Sequence, residues 1–110
     1  MTLHRDLAAG RWASLTLAEQ MGNAGSDVGR AIRARATCDT GRFESAFARA
    51  LELLDLTLAD ERWRGPRRRE IARAREVVCD YLVGVNDYGS TDRTLEDYFM
   101  AFALAARADR

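Results

Sequence analysis

Apolar residues recur at intervals of three and four in four successive stretches of the chain, the spacing that lines one side of an α-helix. The most apolar stretch runs through ALELLDLTLAD, residues 50–60, and begins at Phe43 and Phe47. At about 100° per residue, Phe43, Phe47, Ala50, Leu51, Leu54, Thr57 and Leu58 share one side, with Ala46 and Leu53 at its border. Arg49, Glu52 and Asp55 point away, and Leu56 stands among them as an apolar residue on the polar side. A stripe this wide needs several neighbours, so the other helices are expected to pack around this one.

Before it, Leu3, Leu7 and Gly10 read as an N-terminal arm over residues 1–15 that brings Trp12 and Leu15 to one end of the core. Thr16 with Glu19 three residues later forms a capping-box pattern and starts the first helix. Its core positions are Leu17, Met21, Ala24, Val28, Ala31 and Ile32. A second stripe beside them is made of small residues: Ala18, Gly22, Gly25, Gly29 and Ala36. Each interior glycine costs up to about 1 kcal/mol relative to alanine, a cost that close approach of another helix would offset.

Residues 38–41 read as a turn, with Asp39 or Thr40 as the cap of the second helix. Gly65 breaks the pattern and Pro66 suits the first turn of the third helix. That helix sets Ile71, Ala74, Val78, Tyr81, Leu82 and Val85 on one face and ends near Gly84. Arg75 falls inside this apolar arc, so a carboxylate from a neighbouring helix is expected to meet it. Asn86 to Ser90 is a run of turn formers, and Ser90 or Thr91 caps the fourth helix. Its inward face is Leu95, Phe99, Phe102 and Ala106, flanked by Tyr98 and Ala103, while Met100 and Leu104 point the other way. With Leu56, these two are expected to form a subunit interface, to which Gly22, Gly25 and Gly29 also offer close approach.

The spacing therefore predicts an all-α chain, a single antiparallel up-down-up-down four-helix bundle over residues 1–110, with helices at about 16–37, 42–59, 66–84 and 91–108. A chain of this length buries a core without metal or disulfide support, so no cofactor is expected. Cys38 and Cys79 have no ligand or disulfide spacing and read as reduced, buried thiols. No run approaches the roughly 18 apolar residues of a membrane span, and the N-terminus lacks a signal-peptide pattern, which points to the cytoplasm and away from a membrane.

Candidate chemistry is sparse. A di-iron bundle needs Glu-x-x-His pairs, yet the only histidine is His4, in the arm; zinc ligation and a His-assisted nucleophile fail for the same reason. Among Glu52, Asp55, Glu70, Glu76 and Asp80, the one-turn spacings Glu70–Arg73, Glu76–Asp80 and Arg49–Glu52 read as ion-pair ladders rather than acid–base pairs. An enzyme would need a site assembled between subunits from carboxylates and arginines.

All 17 basic residues are arginine, balanced by 17 acidic ones, so the chain has no net field to draw a polyanion. Locally, Arg62, Arg64, Arg67, Arg68, Arg69, Arg73 and Arg75 crowd into fourteen residues. Arginines 67–69 occupy the first turn of a helix, where the macrodipole disfavours cations. Phosphate contact, with Trp63 as a stacking surface, would explain the placement as an RNA- or DNA-binding patch; pairing with acidic residues of another helix or subunit is the reading that a neutral chain without a nucleic-acid motif favours.

Trp12, Leu15, Leu17, Glu19, Gln20, Asn23, Gly25, Ser26 and Arg30, then ALELLDL at 50–56, then Arg75, Glu76, Cys79, Asp80 and Tyr81, and finally Tyr98, Phe99 and Phe102 together resemble a group of small bacterial proteins whose biochemical role is not established. That group is similar to the four-helix-bundle superfamily encoded by intervening sequences of large-subunit ribosomal RNA genes, which also includes accessory proteins of diversity-generating retroelements. The resemblance covers nearly the whole chain. It implies an antiparallel four-helix bundle assembled into a homo-oligomeric ring, commonly a pentamer, with a basic surface that in retroelement members engages nucleic acid and a reverse transcriptase. It implies no catalytic residue. Unlike the strongly basic retroelement proteins, this chain is neutral. The expected function is a non-enzymatic, self-associating scaffold or binding module, with RNA or a protein as further partner.

Overall fold

The computed structural model describes residues 10–108. Among them, a 3-10 turn at Trp12–Ser14 leads into four α-helices: α1 (Leu17–Ala36), α2 (Thr40–Leu58), α3 (Pro66–Leu82) and α4 (Asp92–Ala108). No strand occurs among the described residues. The helices form the antiparallel up-down-up-down bundle that the spacing predicts, with boundaries within two residues of those expected. Leu3, His4 and Leu7 lie outside the described residues.

Three of the four helices begin where a side chain supplies a hydrogen-bond partner, and α3 begins on a glycine–proline pair. Thr16 and Glu19 close the capping box, the Glu19 amide donating to Thr16 Oγ1 at 3.1 Å and the Thr16 amide to Glu19 Oε1 at 2.9 Å. Asp39 caps α2 by accepting from the Arg42 amide at 3.1 Å. Gly65 precedes α3 with φ of 59°, a left-handed conformation that suits glycine, and Pro66 follows at the first helical position. At α4, Thr91 and Thr94 exchange hydrogen bonds, each amide donating to the other's hydroxyl at 2.9 and 3.1 Å.

The bundle is centred on α1, not on α2 as the apolar stripe predicts. α1 runs between α2 and α4 and also touches α3. It buries Met21, Ala24, Val28, Ala31 and Ile32 as expected, and Ala34 besides. On α2 the buried face is Ala46, Ala50, Leu53, Leu54 and Thr57, whereas Phe43, Phe47, Leu51 and Leu58 are only half-buried. The centre of the stripe is thus rotated by roughly 55° toward the residues read as its border. The cause is size: Ala46 and Ala50 let α1 come close, and the aromatic rings are left to cover the edge, where Phe43 stacks on Phe47 at 5.8 Å.

The glycine stripe of α1 is used by α4. A Cβ on Gly25 would stand 2.4 Å from Phe99 Cβ, and one on Gly22 would stand 3.3 Å from the Ala103 backbone. Close approach ends there: Gly29 faces only the Arg33 guanidinium, and Ala36 is exposed. On the opposite side of the bundle, α3 packs on α2, while the α3 and α4 backbones stand apart. Long side chains bridge that gap, Tyr98 donating to Glu70 at 3.1 Å and Tyr81 to Asp92. A groove of about 360 Å³ remains between them, lined by Ala74, Val77, Leu95 and Tyr98.

Three expectations need correction. Val85 is 82% exposed rather than inward, because α3 ends at Leu82: Arg35 takes the Tyr81 and Leu82 carbonyls at 2.9 and 3.3 Å, and Asp80 takes the Asp87 and Tyr88 amides at 2.8 and 3.1 Å. Leu56 is half-buried beside Trp12 and Ala13 and packs against the core, so it does not extend an outer apolar face. Cys38 is exposed rather than buried, since the chain turns there with φ of 57°; Cys79 is half-buried, and both thiols are free.

Candidate functional site

The arginine-rich stretch does not converge on one surface. Arg62 turns toward the bundle: its guanidinium forks onto Asp60, with Nε at 3.1 Å from Oδ1 and Nη2 at 2.8 Å from Oδ2, and Nη2 also donates to the Leu15 carbonyl at 2.6 Å. The same guanidinium lies 4.5 Å from the centre of the Trp63 ring, with Arg67 at 5.8 Å. Arg64 donates to the Glu61 carbonyl and Arg68 to that of Leu58. Arg73 lies 3.9 Å from Glu76 and 5.6 Å from the Tyr88 ring. Arg75 meets Asp55 of α2 at 2.7 Å, the interhelix carboxylate expected for it, though it is half-buried rather than enclosed. Arg69 is exposed. The hollow beside Arg64 and Arg68 is also lined by Asp55, Asp60 and Glu61, so it carries both signs of charge.

Arg62 and Trp63 belong to a polar network at that end of the bundle, centred on Gln20, which is fully buried. Gln20 Nε2 donates to the Trp12 carbonyl at 2.8 Å and to Asp60 Oδ2 at 2.9 Å, and its Oε1 accepts from Trp63 Nε1 at 2.7 Å. Trp12 Nε1 donates to Thr57 Oγ1 at 3.1 Å, and the Thr57 hydroxyl passes on to the Leu53 carbonyl at 2.8 Å. Each buried polar group therefore has a partner, as a low-dielectric interior requires. The Arg62 guanidinium, and secondarily the Gln20 amide, pull the Asp60 carboxyl from 3.8 to about 2 against the opposing effect of burial. Chemically this is a latch that joins the N-terminal turn, α1, the end of α2 and the α2–α3 loop.

The carboxylates singled out in the sequence are also engaged, though not in the ladders expected. Glu70 accepts from Tyr98 rather than pairing with Arg73, and burial first, then Glu70, raises the Tyr98 hydroxyl above its usual value. Glu76 pairs with Arg73 and accepts from the Tyr88 hydroxyl at 2.5 Å, while Asp80 holds the α3–α4 loop; two acids one turn apart have no attraction to offer each other. Arg49 reaches Asp27 of α1. Among the described residues, no group of His, Cys, Asp and Glu has the arrangement to hold a metal ion, and no helix is long and apolar enough to cross a membrane.

Two features escape a reading by apolar spacing. One is Asp27, 4% exposed, which joins Arg30 of its own helix at 2.9 Å and Arg49 of α2 at 3.4 Å. The other is the groove those arginines line between α1 and α2, with Arg33 and Arg42 beside them. The only cue in the sequence was the recurrence of Arg30, Arg33, Arg42 and Arg49 on polar faces, which is indistinguishable from solvated surface until the helices are placed.

Apolar surface is also exposed at Val83 and Val85, just after α3, and on α4. Met100 and Leu104, one turn apart, are 52% and 54% exposed. Met100 borders an open groove between α1 and α4 that Gly22, Gly25, Gly29, Arg30, Arg33 and Glu96 also line. Comparison with family models, characterised proteins and solved structures finds no match to this chain.

Proposed function

We propose that this protein is a non-enzymatic, self-associating helical-bundle scaffold in the cytoplasm, a module that holds copies of itself and a further partner together. The observation that carries this reading is the exposed Met100–Leu104 ridge, of which Met100 borders the open groove between α1 and α4. A ridge of two flexible apolar side chains on one copy can seat in the open groove of the next, and two large apolar side chains one turn apart on the outside of a small domain are most simply explained by burial in an assembly. A ring, with five copies as the resemblance implies, uses such a ridge and groove head to tail. Leu56, half-buried against the core, lines a separate hollow beside Trp12 and Ala13.

An RNA-binding patch over Arg62–Arg75 has less support. Arg62 and Arg75 are held by Asp60 and Asp55, and a guanidinium already lies over the Trp63 ring that would stack a base. Replacing Met100 and Leu104 together with Glu tests the scaffold reading. The native mass should fall to that of a single chain while the helical circular-dichroism signal is unchanged; an unaltered native mass would remove this ridge from the interface.

A further inference from the structure

The groove between the C-terminal half of α1 and the N-terminal half of α2 has a volume of about 660 Å³, and every charged residue lining it is an arginine. Arg30 and Arg33 come from one wall, Arg42 and Arg49 from the other, with the hydroxyls of Thr37 and Ser45 between them. No carboxylate lines it. In a chain with as many acidic as basic residues, four like charges facing one concavity work against their own repulsion, and something must offset that.

Part of the offset is Asp27. Its carboxylate, 5% exposed, accepts from Arg30 Nη1 at 2.9 Å and lies 3.4 Å from Arg49 Nε. Each guanidinium has five N–H donors in a rigid fork, so fixing one nitrogen orients the plane and leaves other donors to meet an anion. The Arg30 and Arg49 side chains keep 56% and 37% of their surface open to solvent. Arg42 is steadied in the same way, its Nε 3.4 Å from Asp39, with 86% of the side chain exposed. Arg33 lies back along α1 toward Gly29, where a side chain would contest the space.

Arginines from two walls, three of them with one nitrogen held by a carboxylate, suit an anion that presents several oxygens in three dimensions. A planar carboxylate occupies one fork; a tetrahedral phosphate can accept from more than one. We propose that this groove is a binding site for the phosphate groups of a small phosphorylated ligand, with Arg30, Arg33, Arg42 and Arg49 as its donors and Asp27 as the residue that positions two of them.

Inorganic pyrophosphate is the probe, titrated calorimetrically into the full chain at about 0.15 M ionic strength, where exposed, unfocused charge is largely screened. Saturable one-to-one binding is expected. Replacing Arg33 and Arg42 with Gln, both outside the Asp27 pair so that no buried carboxylate is stranded, should weaken it by about tenfold or more, since hydrogen bonds to charged groups are the strong ones. The control is Arg93→Gln with Arg107→Gln, the same charge change on α4, which should bind as the unaltered chain does. A single-stranded oligonucleotide carries the same phosphate chemistry on a polymer and is titrated in parallel. No pyrophosphate binding, equal loss in both variants, or binding of the oligonucleotide alone would each overturn the proposal.

Discussion

Asp60 joins three segments through one carboxylate, accepting from Arg62 in the α2–α3 loop and from Gln20 of α1 while Arg62 reaches on to Leu15. Because its folded-state pKa lies below the ordinary value, the stabilisation is complete above about pH 4 and is lost as pH falls from 3.8 through about 2. Urea unfolding of the natural chain and of Asp60→Asn should therefore converge over that window, and a stability difference that stays constant from neutral pH to pH 2 would mean the latch contributes through shape alone. A second local feature is the end of α1. The Asp39 amide donates to the Ala34 carbonyl at 2.9 Å and the Cys38 amide to that of Arg35 at 3.1 Å, the Schellman pattern, with Cys38 in the left-handed position that glycine usually fills. Cys38→Gly should gain about 1 kcal/mol by relieving that conformation, read as a higher thermal midpoint; a lower midpoint would show that the Cys38 side chain stabilises the turn. The sequence gives no sign of this feature, because the residue that marks such a turn is absent from it. The capping box at Thr16 was legible for the opposite reason: both of its residues are the usual ones.

At the scale of the element, helix existence and ends follow from spacing and caps, but the direction each helix faces does not. α2 turns Ala46 and Leu53 inward instead of Phe47 and Leu51 because a close neighbour selects small residues at the contact, and periodicity weighs Phe above Ala. For the same reason α1, whose apolar stripe is narrower, is the helix that all others touch: its glycines count as nothing on a hydrophobic scale yet admit α4. Two glycines four residues apart separate the effects. Gly25→Ala would drive a methyl to 2.4 Å from Phe99 Cβ, so α4 must shift, and a loss of about 1–3 kcal/mol is expected despite better helix propensity. Gly29→Ala meets only the mobile Arg33 guanidinium at 3.3 Å and should be neutral or gain up to about 1 kcal/mol. Thermal or urea unfolding of the two variants gives the comparison directly; equal effects would mean that α4 does not lie against α1 at Gly25.

For the whole molecule, the open side between α3 and α4 stands apart from two adjoining grooves along α1, the arginine-lined one against α2 and the one against α4 beside the Met100–Leu104 ridge, and Arg30 and Arg33 line both of these. The ridge was legible in the sequence, since Met100 and Leu104 fall opposite Leu95 and Phe99 on a helical projection. The arginine groove was not, because its residues are split between two helices and only their docking brings Arg30 to Arg49. Within the dense run from Arg62 to Arg75 the fold sends three members to separate carboxylates, Arg62 to Asp60, Arg75 to Asp55 and Arg73 to Glu76, pairings that sequence proximity does not reveal. The claim on which the functional account rests is that the chain assembles through α4. Native mass spectrometry of the unaltered protein over a range of concentrations tests it most directly. A discrete species at an integral multiple of the 12.3 kDa chain is the expected result, and a lone 12.3 kDa species at every concentration would contradict it.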